Sequence, residues 1–238
     1  MKVIERMKEK GGVLIGMVHC LPLPGTMNYG GSMDAIVDKA TEDAHALETA
    51  GFDAVLVEAT MHIPMGVSYL TPDCRDVFSI AKASGADFVR ITAFVDTLHF
   101  PVGTVQPCAV QAWEVRREGN MQDISILADI QVKHAELVYP QTTLEQSAYL
   151  AQAQGADAIV VTGNATGEET PMETIRRVAK VSKIPIVVGS GVAPSNVRTQ
   201  MELARGFIVG TSVKQDGNLM APIDLALASE LARARDRG

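Results

Sequence analysis

Residues 155–163 read Gly-Ala-Asp-Ala-Ile-Val-Val-Thr-Gly, a short apolar run between two glycine-containing turns. A β-branched run of this length predicts a buried strand. The same Gly-Ala-Asp phrase precedes a second apolar run at residues 85–87, and Gly-Phe-Asp at residues 51–53 is a looser third copy. Repeated helix-to-strand turns of one kind indicate repeated βα units.

Apolar runs of this kind occur eight times, and helix-period segments follow most of them. We predict strands at Val13–His19, Ala54–Glu58, Met65–Tyr69, Phe88–Thr92, Ile124–Ile130, Ala158–Thr162, Ile186–Gly189 and Phe207–Gly210. Eight units in 238 residues match a TIM (β/α)8 barrel, so we predict one barrel domain over residues 1–238. A doubly wound open sheet is the alternative, although no Gly-x-Gly-x-x-Gly follows the first strand.

The connection between the second and third predicted strands is too short for a helix. Only Ala59–Pro64 separate them, whereas a parallel crossover needs about ten residues or more. Either the chain lacks a segment that would carry a second helix, or the barrel is irregular and Met65–Tyr69 is not a regular parallel strand. We therefore expect a barrel that is irregular or lacks a helix at this point.

Composition and charge exclude several classes of protein. The chain is 47% hydrophobic, which is enough for a substantial core, and its net charge of -7 argues against broad binding to nucleic acid or anionic membranes. Its three cysteines form no CxxC pair, and no apolar stretch reaches the roughly 18 residues of a membrane helix. We expect a cytoplasmic homo-oligomer with no transmembrane segment and no nucleic-acid partner.

The last two predicted strands run directly into Gly189-Ser190-Gly191 and Gly210-Thr211-Ser212. In a TIM barrel these two loops commonly bind phosphate, because glycine lets backbone N–H groups approach the oxygens closely. We predict a phosphate site there, with the three hydroxyls as further donors; tight turns without a ligand are the alternative. Thr162, Gly163 and Asn164, after the sixth strand, either bind substrate or form an ordinary loop.

Alternation along the strands predicts which polar side chains point into the barrel. It places His19, Glu58, Arg90 and Asp129 inward near the carboxyl ends of their strands, which is the catalytic face of this fold. Buried charges need compensation, so these groups form either a structural ion network or a catalytic site. In the second case Glu58 and Asp129 act as acid and base or hold a divalent metal ion.

The stretch that follows the fifth strand adds Lys133 and His134 to Asp129 within six residues. A carboxylate, an ammonium and an imidazole make a plausible acid–base set. A solvated loop in which Lys133 only neutralises Asp129 is the alternative, and a Schiff base on Lys133 is a further one. The long loop Val95–Pro107 is a candidate lid.

These motifs together resemble the BtpA family, also called BtpA/SgcQ, over nearly the whole chain. The matching pieces are Gly16-Met17-Val18-His19 with residues 21–25 and Tyr29, Val57-Glu58, residues 85–90, residues 128–135, Val161-Thr162-Gly163 with Thr166-Gly167, Gly189-Ser190-Gly191-Val192 with Asn196, and residues 208–212 with Lys214. The resemblance implies a phosphate-binding TIM barrel whose chemistry is poorly defined. Some relatives are linked to photosystem I accumulation and others to sugar-utilisation gene clusters.

Two departures from the family pattern change what the resemblance implies. Family members carry a longer stretch after Val57-Glu58, so the second helix and its loop look absent here. Relatives tend to have Asp-Gln-Gly where this chain has Pro101-Val102-Gly103. No polar contribution to the site is therefore expected from that loop.

The function that we predict is an enzyme of a small phosphorylated metabolite, as a sugar-phosphate isomerase, epimerase or aldolase-like lyase. Asp129 is the leading acid or base, with Glu58 and His134 as partners, and Lys133 or Arg90 stabilises an enediolate-like charge. No cofactor is predicted with certainty, and a divalent metal ion remains open. The alternative is a noncatalytic assembly or stability factor for a membrane complex such as photosystem I.

Overall fold

The computed structural model describes residues 2–22, 30–56, 64–68, 73–101, 103–163, 167–219 and 221–237. The strands are β1 (Val13–Met17), β2 (Ala54–Leu56), β3 (Met65–Ser68), β4 (Phe88–Ile91), β5 (Leu98–Phe100), β6 (Gly103–Val105), β7 (Ser125–Asp129), β8 (Glu136–Leu137), β9 (Ala158–Val161), β10 (Ile186–Val188) and β11 (Gly206–Val209). The helices are α1 (Val3–Glu9), α2 (Met33–Thr49), α3 (Cys74–Ser84), α4 (Ala109–Glu118), α5 (Leu144–Ala153), α6 (Met172–Ala179), α7 (Val197–Gln200) and α8 (Leu225–Asp236).

Eight of these strands close into a parallel barrel in the order β1-β11-β10-β9-β7-β4-β3-β2. All eight predicted strands are members of it, so the predicted TIM-barrel fold is confirmed. Several predicted strands extend one or two residues beyond the carboxyl ends of the observed strands. His19 and Thr162 therefore lie just after β1 and β9 and not within them. The side chains of His19 and Thr162 still follow the alternation of these strands. Met17 and Val160, two residues before each of them, belong to the apolar cluster inside the barrel.

The repeated Gly-x-Asp turns connect to neighbouring strands by hydrogen bonds at the amino end of the barrel. Each aspartate accepts a backbone N–H from the first two residues of an adjacent strand; the pairs are Asp53 with Leu14 at 3.1 Å, Asp87 with Met65 at 3.1 Å and Asp157 with Ile126 at 2.8 Å. The preceding glycines all have a positive φ, between 70° and 90°. A side chain is strained in that conformation, which explains why this turn begins with glycine each time.

The short connection after β2 does not disturb the barrel. Val55 pairs with Met65 and Leu56 with Gly66, so β3 is a regular parallel strand. This excludes the alternative in which Met65–Tyr69 is irregular, at least for the described residues 65–68. The outward-facing Val55 and Val67 are buried against the helix-side core, at 0% and 4% exposure.

The amino end of the barrel is filled, whereas the carboxyl end is open. Helix α1 inserts Val3, Ile4 and Met7 into the same apolar cluster as the inward side chains of the strands. Burying side chains of this kind stabilises a fold by about 1.5–3 kcal/mol each. Within the described residues, a ligand therefore has access to the barrel interior from the opposite, carboxyl end.

A second, three-stranded antiparallel sheet in the order β6-β5-β8 was not predicted. It replaces much of the expected loop Val95–Pro107 with a hairpin that pairs with Glu136–Leu137. Buried Asp96 anchors the base of the hairpin, because it accepts the Ser147 hydroxyl at 2.7 Å and the Gln131 N–H at 2.8 Å. The candidate lid is thus an ordered sheet in its described part.

Candidate active site at the barrel mouth

A cavity of about 610 Å³ lies at the carboxyl end of the barrel. Both predicted phosphate loops line it, and so do three of the predicted catalytic residues, His19, Arg90 and Lys133. The structure therefore brings the glycine loops and the basic side chains to one site. Asp129 and His134 are not among the lining residues, and Glu58 and Asn164 lie outside the described residues.

The loop after β10 presents backbone N–H groups to the cavity. The N–H groups of Gly191 and Val192 have no hydrogen-bond acceptor among the residues that the structure describes. Asn196 fixes the loop, because its amide donates to the Gly191 carbonyl at 2.8 Å and accepts the Ala193 N–H at 2.9 Å. Gly191 has φ +67°, and a Cβ there would lie 2.3 Å from backbone atoms of residues 168 and 169.

Two hydroxyls of the predicted phosphate site are used inside the protein. The Ser212 hydroxyl donates to the Val192 carbonyl at 2.6 Å, and the Ser190 hydroxyl accepts the Gly163 N–H at 2.8 Å. These bonds tie the loops after β9, β10 and β11 to one another. For Ser212 this corrects the expectation of a hydroxyl donor to phosphate, whereas the Thr211 hydroxyl has no partner in the described part of the chain.

Thr162 and Gly163 also hold the framework of the site. The Thr162 hydroxyl accepts the Lys133 N–H at 3.3 Å. A Cβ on Gly163 would lie 2.8 Å from two backbone oxygens, so glycine allows close packing of the following loop. Neither residue lines the cavity, and their predicted contact with substrate stays a prediction.

Lys214 lines the cavity but its ammonium is committed to the protein. The side chain is fully buried, and its Nζ donates to the carbonyls of Leu219 and Ala221 at 2.7 and 2.8 Å. Asp43 on α2 lies 3.8 Å from Nζ and accepts the Ile223 N–H at 2.8 Å. Together these contacts fasten the segment after β11 to helix α2.

Asp43 was missed at the sequence level, although a signal for it was present. It lies on the apolar side of α2, together with the buried Ile36, Ala40, Ala44 and Leu47. A carboxylate on that face needs a cationic partner. Lys39, one turn earlier, supplies one at 2.7 Å, and Lys214 supplies the second.

His19 lies beside the phosphate loops in an environment that favours the neutral imidazole. Burial, followed by the positive charges of Lys214 and Lys39, lowers its pKa to about 4, although Asp43 opposes the shift. Its Nδ1 is buried and has no hydrogen-bond partner among the described residues. The ring therefore has an unsatisfied polar atom next to the candidate phosphate site.

Arg90 and Asp129 form a two-bond ion pair at the ends of β4 and β7. Arg90 Nε donates to Asp129 Oδ2 at 2.8 Å, and Nη2 donates to Oδ1 at 2.9 Å. Burial alone would lower the pKa of Arg90, but the Asp129 carboxylate raises it above its ordinary value. Asp129 points inward as predicted and is fully buried, whereas 13% of the Arg90 side chain remains exposed.

Lys133 faces the cavity without a counterion of its own. Its Nζ has no hydrogen bond or ion pair within the described ranges. Burial and then the charge of Arg90 lower the Lys133 pKa, and Asp129 opposes this effect. The neighbouring His134 is exposed and has φ +63°. It is not among the residues that line the cavity, and its predicted role at the rim of the site stays a prediction.

The described residues do not form a metal centre. Within them, no three His, Cys, Asp or Glu side chains are grouped so that they could hold a metal ion. A metal ion between Glu58 and Asp129 stays a prediction, because Glu58 is not described. The helices in the described ranges also include none that is long and apolar enough to cross a membrane.

Solved structures with a similar fold are TIM-barrel enzymes. Thiamine phosphate pyrophosphorylase from Pyrococcus furiosus matches with a TM-score of 0.60 at 16% identity, covering 98% of each chain. An archaeal fructose 1,6-bisphosphate aldolase matches with a TM-score of 0.58 at 17% identity, covering 96% of this chain and 95% of its own. At these identities the likeness shows the fold alone, although both names refer to phosphorylated compounds.

Sequence comparison identifies closer relatives. An uncharacterized protein of Pyrococcus furiosus is 36% identical over 251 residues, covering 94% of each chain. The photosystem I biogenesis protein BtpA of Synechocystis is 29% identical and covers 94% of this chain and 88% of its own.

The same comparisons locate the missing segment. An aligned stretch of 251 residues is longer than the whole chain of 238 residues, so the relatives contain residues with no counterpart here. A sequence profile described as the BtpA family matches residues 10–61 and 57–237. The two matched ranges meet at residues 57–61, where the short connection after β2 lies, and the chain belongs to the BtpA family.

Proposed function

We propose that this protein is an enzyme that isomerises, epimerises or cleaves a small phosphorylated metabolite in the cavity at the barrel mouth. One observation supports the proposal above the others. A single cavity joins His19, Arg90 and Lys133 to backbone N–H groups of the glycine loops that have no acceptor in the described part of the chain. Such loops suit phosphate, and basic side chains near the attached carbons suit reactions that pass through an oxyanion.

In this proposal the backbone binds the phosphate. The N–H groups of Gly191 and Val192, with those at the start of the 3-10 turn Thr211–Val213, would donate to its oxygens. Glycine at residue 210 leaves room for His19, since a Cβ there would lie 3.2 Å from His19 Cε1. Lys214 holds this loop and does not contact the ligand.

His19 is the group that we propose for proton transfer. Its low pKa leaves a neutral ring at pH 7, which can accept a proton at one nitrogen and donate at the other. A bound phosphate would offset the nearby positive charges and raise that pKa toward the range where acid–base catalysis works best. Lys133 would stabilise the oxyanion that forms when a proton leaves the carbon next to a carbonyl.

Asp129 takes a different place in the proposed mechanism from the one that we predicted at the sequence level. Its two oxygens are bonded to Arg90, so we propose that it positions the guanidinium. Direct proton transfer by Asp129, and the partner roles of Glu58 and His134, stay predictions. A cytoplasmic location and a homo-oligomeric state stay predictions as well.

Hydrogen exchange in D2O tests the proposed function without knowledge of the product. A panel of phosphosugars is incubated with the enzyme, and deuterium incorporation at carbon is followed by mass spectrometry. Isomerases, epimerases and many aldolases all catalyse this exchange through a carbanion or enediolate. We expect at least one compound to exchange, and His19→Gln to reduce its rate about 100-fold with unchanged circular dichroism.

The matched control is His45→Gln, since His45 is exposed on α2, away from the cavity. It should leave the exchange rate unchanged. Absence of exchange with every compound, or an equal rate in His19→Gln, would contradict the proposal.

A second candidate is an assembly or stability factor, as the name of the 29% identical Synechocystis relative suggests. In that case the barrel would serve as a binding surface and the phosphate loops would hold a regulatory ligand. His19→Gln would then leave partner binding intact, and no phosphosugar would exchange deuterium.

A further inference from the structure

We propose that Arg90 and Lys133 form a second anion subsite, so that the ligand carries a carboxylate or a second phosphoryl group besides the phosphate on the glycine loops. We call this pair the Arg90–Lys133 corner. The inference rests on the proposed function, because it assumes that the first phosphate binds at the loops after β10 and β11. It narrows the substrate class to small metabolites with an anionic group near each end.

The first support is the unused edge of the Arg90 guanidinium. Asp129 occupies Nε and one N–H of Nη2. No described residue accepts a hydrogen bond from Nη1, and the side chain lines the cavity. The remaining edge, formed by Nη1 and Nη2, has the fork geometry that binds a carboxylate or phosphoryl group through two hydrogen bonds.

The second support is the charge balance of the corner. Arg90 and Lys133 carry two positive charges, and the described residues supply one compensating carboxylate, Asp129. The one acidic side chain among the described lining residues is Asp216, which follows β11 on the other side of the cavity. A positive corner in a chain with a net charge of -7 is suited to an anion.

The third support is the position of the corner in the ring of strands. In the order β11-β10-β9-β7-β4, Arg90 on β4 lies four places from β11, which is half-way round a barrel of eight strands. Lys133 follows β7, between them and nearer to Arg90. The two anion subsites therefore face each other across the mouth, and a single extended ligand would reach both.

In the reaction that we propose, the corner fixes the end of the substrate away from the phosphate. A carboxylate or phosphoryl group on the free edge of Arg90 would place the adjacent carbons between Lys133 and His19. Lys133 would then stabilise the oxyanion, as proposed above, next to an anion held by Arg90. Asp129 acts as a positioning residue because it sets the plane of the guanidinium.

Isothermal titration calorimetry with three matched series of synthetic compounds tests this inference. Each series is an alkyl phosphonate with two to six methylene groups, ending in a hydroxyl, a carboxylate or a second phosphonate. We expect at least one length at which a second anion improves the affinity tenfold or more over the hydroxyl compound. The carboxylate and phosphonate series show which of the two groups the corner prefers.

Variants assign that improvement to the corner. The double variant Arg90→Gln/Asp129→Asn replaces the ion pair with a neutral hydrogen-bonded pair of similar size, and we expect it to abolish the tenfold improvement. Lys133→Gln leaves the ion pair in place and should reduce the improvement at least threefold even if the double variant does not fold. The charge-matched control is Lys180→Gln, at an exposed residue that does not line the cavity, and it should leave the affinity for all three series unchanged.

The outcomes separate this inference from the proposed function. If hydroxyl-ended phosphonates bind but a second anion gives no improvement at any length, the second subsite is wrong and the phosphate site stands. If the improvement persists in both variants, the anion binds elsewhere and the inference is again wrong. If no compound binds at all, the phosphate site fails, and the inference fails with it.

Discussion

Asp53 at the amino end of the barrel and Asp129 at the carboxyl end are both buried carboxylates paired with an arginine, yet their surroundings differ. Asp53 contacts the Arg235 guanidinium, the Lys10 ammonium at 3.2 Å and the Leu14 N–H at 3.1 Å. Its partners belong to α1, β1 and α8, and the barrel beneath them is filled. Within the described residues Asp129 holds Arg90 alone, and the Arg90 side chain lines a cavity.

This difference shows that a buried ion pair does not by itself indicate a functional site. At the amino end the pair joins the first and last helices to the barrel, and both partners make further bonds inside the protein, Asp53 with the Leu14 N–H and Arg235 with Asp236. At the carboxyl end, Arg90 Nη1, Lys133 Nζ and the buried His19 Nδ1 have no partner among the described residues, and all three side chains line one cavity. Arg6 Nε, beside Asp53 at the amino end, is also buried without a partner in the described part of the chain. The unsatisfied groups, more than the ion pair, point to a ligand.

The largest expected effect is on stability at the amino end. Asp53→Ala removes the buried counterion of Arg235 and leaves it with the exposed Asp236, and breaking a buried ion pair in this way typically costs about 3–5 kcal/mol. We expect urea denaturation to show a loss of this size in the free energy of unfolding. The control Asp123→Ala, at an exposed residue that pairs with Lys2, should change it by less than about 0.5 kcal/mol. Similar losses in both variants would contradict the comparison.

At the carboxyl end we expect a substitution of Asp129 to affect function more than stability. Asp129→Asn keeps a hydrogen-bonding partner for Arg90, so we expect a loss of only about 1–3 kcal/mol in stability. Because the guanidinium loses its fixed orientation, deuterium exchange into the phosphosugar should slow about 100-fold. Denaturation and exchange measured on one preparation check both values. A variant that unfolds as readily as Asp53→Ala would make Asp129 a structural residue.

A smaller effect is expected at Lys214, which supports the phosphate loop without contacting the ligand. Lys214→Met keeps the length of the buried stem but removes the bonds to the Leu219 and Ala221 carbonyls. The loop should shift, and the affinity for inorganic phosphate should fall about tenfold. Calorimetry measures this change. An unchanged affinity would show that the loop is held by other contacts, such as the Ser212 hydroxyl.

The last expected effect is a dependence of the folding stability on pH, which we assign to His19. Its pKa of about 4 lies below the ordinary histidine value of 6.5, so the folded protein binds this proton less readily than the unfolded chain. The stability contributed by the neutral ring is present above about pH 6.5 and is lost as the pH falls toward 4. His19→Gln should remove this part of the pH dependence.

An NMR titration of the histidine rings measures the same pKa directly, with His19→Gln to assign the signal. Sulfate, a dianion throughout the titration, is expected to raise the pKa of His19 because it offsets the nearby lysines. A normal pKa in the free protein would refute the buried, neutral ring. A low value that sulfate does not change would refute its place beside an anion site.

Much of the architecture follows from local patterns in the sequence. The eight barrel strands were predictable because β-branched runs and Gly-x-Asp turns are set by residues near one another in the chain. The inward direction of Asp129 and Arg90 was predictable because side chains alternate along a strand. The sheet formed by β5, β6 and β8 was not, since its strands have only two or three residues each and β8 lies more than 30 residues after β5.

The sequence alone determined the barrel, the short connection after β2 and the two glycine loops at its carboxyl end, because each depends on short-range periodicity, chain length or backbone freedom. Only the tertiary structure decided which polar atoms are satisfied. It joined Asp129 to Arg90, turned the Ser212 hydroxyl onto a carbonyl and buried Lys214, while leaving His19 and Lys133 facing the cavity. Hydrogen bonds between distant segments depend on the closure of the barrel, and no local pattern specifies them.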